Sequence, residues 1–551
     1  MRSKTIYLLS LALAFLSYHG GGLIGQEPAA SQARRAEQVR LERIPSADLG
    51  NGYFRNPVLV GPGSDNTVLR VGKDYYMMAG GGWPDQLVWH SRDLVNWRPI
   101  TRALRKYNGG AWASEITYFK GKYYIYTTQV DTTRGNVGPL NSSQRSLLGV
   151  PFKNQGDKAW MNVVLWADNP AGPWSDPIDI GIYGLFDPGH IVDQQGNRYL
   201  FFNKGMMIRL APDGLSTIGE LKHVYDGWDY PKDWVVECKC LEAPKLIFHN
   251  GYYYMASAQG GTAGPTTAHM GIMARSKSVE GPWENSPYNP FVRTRTQEEK
   301  WWRQGHGTLI DDAEGKWWFL YSGYENGFTV FGKQSLLLPV EWTPDGWPRI
   351  AAGVAPTNIL PKPAGENVGH GMPLSDDFTS PALGIQWQYG RDIDPSAIFR
   401  WGDGKLTMQS KGAIPGKAAA LPAEATTLSL MPVNHDYEAE VEISIPDKAE
   451  GGLMLSSGGR GGASWATVGL RKGEAFATWA GQANYLNWRE SRIFVRIRNM
   501  KYDISCFYSS DGKTWIPFDN STYVPDGRRL ALYAAGEGQV VFKNFKYRGL
   551  E

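Results

Sequence analysis

The chain has 551 residues, a length that predicts two to four domains rather than one core. Its 57 Lys and Arg residues nearly balance its 54 Asp and Glu residues, and a net charge of +3 gives no field that would gather nucleic acid. A hydrophobic content of 42% excludes a disordered chain, and the many Gly, Pro, Trp and Tyr residues are typical of short aromatic strands joined by tight turns. We therefore expect an all-β protein.

The first 25 residues have the pattern of an export signal. Arg2 and Lys4 precede an apolar run over residues 6–16, and small residues follow it. The run is too short to span a bilayer, and no Cys follows it to carry a bacterial lipid anchor. We expect a signal peptide over 1–25, a lead-in segment over 26–52, and a periplasmic or secreted protein without a membrane anchor.

One local pattern recurs five times between residues 53 and 360. Each copy is a turn with Gly, Asp or Asn followed by an aromatic-rich strand, and the first aromatic residues are Tyr75, Tyr123, Tyr199, Tyr252 and Trp317. A spacing of roughly 50–75 residues is about one four-stranded sheet plus loops per unit. The repeat predicts a five-bladed β-propeller. Unrelated hairpins are the alternative, which five copies in one half of the chain disfavour.

A second region begins after residue 375. Residues 361–375 are rich in Pro and Gly, which predicts a linker. Residues 376–551 alternate as half-buried antiparallel strands do, for example over 437–443 and 494–498, and Ser510 to Lys513 supply a hairpin turn. We expect a β-sandwich here.

The chain contains three cysteines, an odd number. Cys238 and Cys240 lie two residues apart, a spacing that suits alternate positions on a strand, and Cys506 is far from both. An odd count excludes a full disulfide framework. No second ligand pair lies near the Cys-x-Cys pair, so a zinc site is not expected.

Each propeller unit carries one ionisable residue at nearly the same position. These residues lie 8 to 12 positions before the first aromatic residue of their unit, and they are Asp65, Glu115, Asp187, Glu242 and His306. Because side chains alternate along a strand, a shared position in each unit predicts that these side chains point to one axis. Carboxyl groups crowded there raise the pKa of at least one of them. Each residue taken singly also has a structural explanation. Asp187 could belong to a turn, Glu115 could be a solvated charge at a strand end, and His306 could be a core histidine. For Asp65, Asp187 and Glu242 together we favour function, because unpaired carboxylates beside apolar strand residues cost stability.

The same segments resemble glycoside hydrolase family 43, which contains inverting arabinosidases and xylosidases on a five-bladed propeller. The resemblance is carried by residues 56–76, 186–189, 241–245 and 305–307, in this order along the chain. It implies that Asp65 is the general base, that Glu242 is the general acid, and that Asp187 orients the acid and tunes its pKa. It also implies a structural cation, Ca²⁺ or Na⁺, near the axis beside His306, although the reaction requires no cofactor.

The chain departs from the family pattern at three places. Asn66 replaces the usual proline after the first aspartate, and Ala243 replaces the usual glycine after the acid. Neither change removes a carboxylate. Lys333 and Gln334 stand where many relatives have Arg and Glu, and because lysine lacks the bidentate geometry of arginine, the sugar specificity is affected more than the mechanism.

Further residues are predicted to contact substrate. Trp83 and Trp112 lie near the catalytic strands and suit the faces of a sugar, although both also suit packing, and Glu115 and Lys333 complete the set. The polar, Gly-rich loop over 130–161 is expected to border the pocket.

Glu237 is an alternative candidate to Glu242. Together with Phe186-Asp187-Pro188 it resembles the motifs of retaining fructosidases, which have the same fold. It lies 15 residues before Tyr252, outside the range of 8 to 12 that the other units share. The position in the repeat therefore favours Glu242 over Glu237.

Paired carboxylates predict the reaction. Glu242 would protonate the glycosidic oxygen while Asp65 activates a water on the opposite face of the sugar, which gives inversion. The resemblance to family 43 implies release of terminal β-xylose or α-L-arabinofuranose from plant cell-wall oligosaccharides, with an oligo- or polysaccharide as the partner. The C-terminal region looks like the jelly-roll sandwich that follows the propeller in many family 43 xylosidases. The alternatives are a non-catalytic carbohydrate-binding propeller, a family member acting on galactan, and endo-cleavage of arabinan.

Overall fold

The computed structural model describes most of the chain from residue 42 onward. The described residues are 42–61, 65–79, 87–104, 110–130, 160–389, 395–416, 419, 421, 424–456, 465–479, 482–525, 527 and 529–550. The predicted signal peptide, most of the lead-in, Trp83 and the interior of the 130–161 loop lie outside them. Among the described residues, no helix is long and apolar enough to cross a membrane.

Five antiparallel sheets in the described residues form the blades, and in each the strands follow chain order. Blades one to three are β2 (Thr67–Val71), β3 (Asp74–Met78), β4 (Leu87–Ser91) and β5 (Arg98–Arg102); β6 (Gly110–Phe119), β7 (Lys122–Val130), β8 (Trp160–Ala167) and β9 (Ile178–Tyr183); and β10 (Gly189–Val192), β11 (Arg198–Phe202), β12 (Met206–Leu210) and β13 (Thr217–His223). Blades four and five are β14 (Glu242–His249), β15 (Tyr252–Gln259), β16 (Met270–Ser276), β17 (Glu284–Asn285) and β18 (Val292–Arg293); and β19 (Trp301–Asp311), β20 (Trp317–Glu325), β21 (Lys333–Trp342) and β22 (Pro348–Ile350).

The first strands of the blades surround the central axis. β2, β6, β10, β14 and β19 contact one another in a closed ring. The aromatic strand that defines each sequence repeat is the second strand of its blade, next to that ring. This arrangement confirms the predicted five-bladed propeller and brings the predicted ionisable residues to the central axis.

The start and the end of the propeller are joined by pairing. β1 (Tyr53–Arg55) pairs antiparallel with β23 (Ile359–Pro361), and Val58 N–H donates to Ser335 O at 2.8 Å. The segment predicted as a linker continues this contact, because Leu374 N–H donates to Glu42 O at 2.8 Å.

The described residues of the C-terminal region form two seven-stranded antiparallel sheets. In sheet order the first comprises β24 (Gln388–Tyr389), β27 (Thr426–Leu430), β36 (Arg529–Gly536), β29 (Ala449–Ser456), β30 (Trp465–Arg471), β31 (Glu474–Trp479) and β32 (Gln482–Asn487). The second comprises β25 (Phe399–Gly402), β26 (Lys405–Gln409), β37 (Gln539–Gly549), β28 (Asp436–Ser444), β33 (Arg492–Met500), β34 (Asp503–Ser509) and β35 (Ile516–Tyr523). A short helix α1 (Pro395–Ile398) precedes β25, and two 3-10 turns, Asn203–Gly205 and Thr329–Phe331, lie in the propeller.

The sandwich core follows from the alternation seen in the sequence. Alternate residues of β28 and β33, such as Val441, Ile443 and Val495, are almost fully buried and belong to one apolar cluster with Leu453 and Leu532 of the opposite sheet. The predicted β-sandwich is confirmed.

The sandwich packs against the fifth blade. His435 Nε2 lies 3.2 Å from Glu325 Oε2, its ring lies against Phe328 with centroids 3.7 Å apart, and Tyr502 Oη donates to Gly327 O at 2.6 Å. The turn between β20 and β21, which leads to Lys333, is therefore held by the second region of the chain.

Candidate active site

A cavity of 380 Å³ lies where the inner strands begin. Its wall contains three carboxylates, a histidine and a lysine that the sequence singled out: Asp65, Asp187, Glu242, His306 and Lys333. Trp112 also lines the cavity, whereas Glu115 does not. The structure thus brings together most of the predicted set from all five blades.

The backbone bends where these side chains enter the cavity. Asp65, Asp187 and His306 have φ values of 55°, 58° and 52°, in the left-handed region that residues other than Gly rarely adopt. β14 and β19 also carry register shifts beside Glu242 and His306. Such strain costs of order 1–3 kcal/mol per residue and persists only where the surrounding structure enforces it. The bends direct polar side chains out of the ladder and into the cavity.

Asp65 is held in its ionised form. Lys333 Nζ donates to Asp65 Oδ1 at 2.6 Å, and His306 Nδ1 lies 3.4 Å from the same oxygen. Burial alone would raise the pKa of Asp65, but the charge and hydrogen bond of Lys333 and the nearby His306 lower it well below its usual range. The carboxylate is suited to accept a proton.

Glu242 is in the opposite electrostatic state. Burial raises its pKa, and the neighbouring carboxylate of Asp187 raises it further. Burial and the charge of Asp65 also raise the pKa of Asp187. A buried pair of carboxyl groups that cannot both ionise retains a proton at neutral pH, so this side of the cavity can supply one.

His269 lies next to the acid and was missed by sequence reasoning. Its ring is fully buried, and Nδ1 lies 3.9 Å from Glu242 Oε1. Burial lowers the pKa of His269 well below its ordinary value, so the ring is neutral. It packs under Gly305, where an added Cβ would approach the ring to 2.6 Å. Its sequence signal is weak, because His269 precedes a third strand rather than an inner one.

Aromatic side chains form part of the wall. Trp112 lines the cavity, and its ring packs edge-on against Trp160 with centroids 4.6 Å apart and lies 6.3 Å from Phe186. Phe186 also lines the cavity and was not predicted to contact substrate. The placement of Trp112 suits the predicted contact with a sugar face.

Glu115 does not face the cavity. Its carboxylate accepts hydrogen bonds from Thr67 Oγ1 at 3.0 Å and from Lys245 Nζ at 2.8 Å, and the side chain is buried. The shared phase of the repeat placed it correctly at the axis, but its position does not support the predicted substrate contact, because a buried lysine already occupies it.

The sequence profile of Glycosyl hydrolases family 43 matches residues 54–348, more than half of the chain. The chain belongs to this family. Membership confirms the family and the glycosidase class that the sequence predicted.

Similar proteins are found among curated sequences and solved structures. A xylan 1,3-beta-xylosidase from a Vibrio species is 30% identical over 60% of this chain and 64% of its own, and a non-reducing end alpha-L-arabinofuranosidase from Bacteroides ovatus is 28% identical over 63% of each. These matches span just under two thirds of the two relatives. Two solved structures share the fold over 90% of this chain. One is a family 43 protein from Bacillus licheniformis, with 24% identity, a TM-score of 0.75 and 100% of its own chain covered. The other is a xylan beta-1,4-xylosidase from Bacillus halodurans, with 21% identity, a TM-score of 0.71 and 99% of its own chain covered.

The departures from the family 43 pattern have visible structural contexts. Ala243 has φ 55° and is fully buried, so an alanine occupies a conformation that glycine adopts without strain. Asn66 is fully buried, and its Nδ2 donates to Tyr321 O at 3.4 Å. Lys333 lies in the cavity wall, but its ammonium is bound to Asp65.

The cation implied near His306 has one candidate ligand in the described part of the chain, because His306 Nε2 is buried and has no hydrogen-bond partner there. Among the described residues, the acidic, His or Cys side chains that cluster closely are Glu237, Cys238 and Cys240, a group that does not include His306 and whose two cysteines are joined in a disulfide. Ca²⁺ and Na⁺ prefer several oxygen ligands to one imidazole. The described side chains around His306 do not form a site of several oxygen ligands, and the cation stays a prediction.

The segment before Glu242 differs from the prediction. Cys238 and Cys240 form a disulfide in a loop of the cavity wall instead of lying on a strand, and Cys506 is a buried free thiol. Glu237 lies in the same wall, and its carboxylate accepts the backbone N–H groups of Ala263 at 2.5 Å and Gly264 at 3.2 Å. The backbone of this loop does not form a strand, because its hydrogen bonds go to the neighbouring turn around Gly260.

Proposed function

We propose that the protein is an inverting glycosidase that releases terminal pentose, β-xylose or α-L-arabinofuranose, from plant cell-wall oligosaccharides. The observation that carries the proposal is the opposite shift of two carboxyl groups in one cavity: the pKa of Asp65 is lowered and that of Glu242 is raised. An acid and a base made from similar side chains are what this hydrolysis needs. The names of the Vibrio and Bacteroides relatives support xylose and arabinose as the sugars.

In the proposed reaction, the carboxyl group of Glu242 donates its proton to the glycosidic oxygen as the bond to the anomeric carbon breaks. The carboxylate of Asp65 takes a proton from a water whose oxygen attacks that carbon from the opposite face. The products are an alcohol and a free sugar of inverted configuration. Glu242 is then ionised and Asp65 protonated, and exchange with solvent restores both.

Asp187 acts on the acid in this scheme. It is more deeply buried than Glu242, and its charge raises the pKa of Glu242. Trp112 contacts a sugar face. We also propose that the protein is exported, because residues 1–25 have a basic start and an apolar run followed by small residues. Cell fractionation with detection of the mature N-terminus tests the export.

Hydrolysis of aryl β-xyloside, α-L-arabinofuranoside and β-galactoside tests the proposed function, with Glu242→Gln in parallel. We expect turnover of a pentoside by the wild type, loss in the variant, and an inverted first product in a proton NMR time course. Retention of configuration would refute the mechanism. Binding of oligosaccharides without any turnover would instead favour a non-catalytic carbohydrate-binding protein.

A further inference from the structure

A buried ammonium group lies at the axis of the propeller beneath the cavity. Lys245 is 3% exposed, and its Nζ donates to Glu115 Oε2 and to Pro188 O, both at 2.8 Å. The same Glu115 oxygen accepts a hydrogen bond from Thr67 Oγ1 at 3.0 Å. We call Lys245, Glu115, Pro188 and Thr67 the axial network.

The four members of the axial network come from four different blades. Thr67 begins β2, Glu115 lies in β6, Pro188 immediately precedes β10, and Lys245 lies in β14. The network therefore joins the inner strands of four blades through side-chain hydrogen bonds. Its hydrogen bonds fix how those strands are placed relative to one another.

Three of these members are close in sequence to a carboxylate of the cavity. Thr67 lies two residues after Asp65, Pro188 directly follows Asp187, and Lys245 lies three residues after Glu242. A shift of Thr67, Pro188 or Lys245 would therefore move the backbone that carries a neighbouring carboxylate of the cavity.

The strands on either side of the network leave little room for adjustment. A Cβ added at Gly189 would lie 1.7 Å from Pro244 O, so the backbone of β10 touches that of β14 next to Lys245. The register of β14 shifts between Glu242 and Lys245, which turns one side chain into the cavity and the other to the axis. This bulge explains why Glu242 and Lys245, which are three residues apart on one strand, have different surroundings.

The ammonium also acts on the cavity through its charge. Burial and Asp65 raise the pKa of Asp187, whereas Lys245 lowers it. Burial lowers the pKa of His306, and Lys245 lowers it further. A buried cation is costly unless it is paired, and Glu115 supplies the pairing charge while the Pro188 carbonyl supplies a second acceptor. Such a charge is retained at a cost in desolvation, which favours a role beyond stability.

We propose that Lys245, held by Glu115, is a positioning residue that sets the relative placement of Asp65, Asp187 and Glu242 for hydrolysis. The inference rests on the proposed function. It assigns to Glu115 a task in the fold of the site in place of a contact with substrate.

Lys245→Met and Glu115→Gln test the proposal, because each removes one charge with little change in side-chain length. Lys362→Met is the matched control, since Lys362 is also largely buried and paired with two carboxylates, Asp48 at 2.5 Å and Asp93 at 3.1 Å, but does not line the cavity. Thermal unfolding, kcat, KM and the pH dependence of kcat/KM are measured for the wild type and all three variants.

We expect Lys245→Met to lower kcat about 10²-fold while KM changes less than about threefold, since misplacement of catalytic groups by an ångström has an effect of this size. Its pH profile moves to higher pH, because Asp187, which acts on Glu242, loses a nearby cation that lowers its pKa. Glu115→Gln shows a smaller loss of kcat and serves as the test if Lys245→Met does not fold. Lys362→Met lowers the melting temperature but leaves kcat and the pH profile unchanged.

An unchanged kcat and pH profile in a folded Glu115→Gln or Lys245→Met variant would overturn the proposal and leave the network a purely structural contact. Failure of the proposed function looks different, because the wild type itself then turns over no glycoside. In that case ¹³C NMR titration of the Asp187 carboxyl group, assigned with Asp187→Asn, detects the charge effect directly. A titration of Asp187 that is identical in Lys245→Met and the wild type would refute it.

Discussion

Lys333 of the fifth blade donates a 2.6 Å hydrogen bond to Asp65, which directly precedes the first blade. The contact closes the ring of blades at the cavity and keeps a partly buried carboxylate ionised. The ammonium group of lysine is a point charge rather than a planar fork, so Lys333 bonds one oxygen of Asp65 and lacks the paired N–H groups with which arginine binds both oxygens of a carboxylate. Lys333 thus acts on the proposed base, and its contact with the sugar stays a prediction.

Replacement of Lys333 should move the whole pH profile of activity to higher pH. Lys333 lowers the pKa values of both Asp65 and Glu242, so Lys333→Met raises both, and the ionised base and the protonated acid coexist in a more alkaline window. The pH dependence of kcat/KM measures the shift. Lys333→Arg keeps the charge and should keep the profile. Superimposable profiles for Lys333→Met and the wild type would show that the ammonium does not set the state of Asp65.

Removal of the acid should stabilise the fold at neutral and alkaline pH. The folded pKa of Glu242 is raised, so the stability associated with its protonated form is present at low pH and is lost as pH rises through the folded pKa. Glu242→Gln does not ionise. Its free energy of unfolding should exceed that of the wild type by at least about 1 kcal/mol at about pH 9, the worth of a single pKa unit, and match it near about pH 4.

Denaturant unfolding at several pH values measures this difference. Glu220→Gln is the control, because Glu220 is an exposed residue of β13 outside the cavity. A constant difference between Glu242→Gln and the wild type across the pH range would contradict a raised pKa for Glu242.

Ala243 should tolerate replacement by glycine. At φ 55° alanine carries a strain of about 1–2 kcal/mol that glycine lacks, and the greater entropy of glycine in the unfolded chain offsets part of the gain. We expect the free energy of unfolding of Ala243→Gly to stay within about 1 kcal/mol of the wild type. Ala256→Gly, at a buried position of β15 that is not among the positive-φ residues, should lose more. Equal losses in the two variants would show that Ala243 is not strained.

Trp112 should contribute to substrate binding more than to the chemical step. Trp112→Ala removes the ring from the cavity wall, and we expect KM to rise about tenfold, equivalent to about 1.4 kcal/mol, with kcat changed less. Trp112→Phe keeps an aromatic face and should show a smaller rise. A large fall in kcat at constant KM would indicate that the ring instead supports Phe186 and the strands behind it.

Much of the propeller could be predicted because the chain repeats one pattern. The aromatic strand of each blade is its second strand, and counting back from Tyr75 or Tyr252 finds Asp65 and Glu242, which both line the cavity. The count gives a position along a strand but not the neighbour across the axis. Glu115 has the correct phase, yet its partner Lys245 is 130 residues away in the chain, and only the closed ring brings them together.

Local irregularities explain the other differences. Cys238 and Cys240 have the spacing of a strand, but the chain before β14 is a loop whose backbone bonds to the turn around Gly260. His269 reaches Glu242 from a third strand, because Gly305 leaves space for its ring. Bulges and close approaches of this kind depend on the packing of whole blades, which a repeat pattern does not record.

The central claim, that Glu242 is the acid and Asp65 the base, is tested most directly by the leaving-group dependence of hydrolysis. Aryl glycosides of graded phenol acidity are compared for the wild type, Glu242→Gln and Asp65→Asn. We expect Glu242→Gln to lose most activity on poor leaving groups and little on the most acidic phenol, which needs no proton. Asp65→Asn should lose activity equally on all of them, since every substrate needs the activated water. Equal losses across the series in both variants would contradict the assignment.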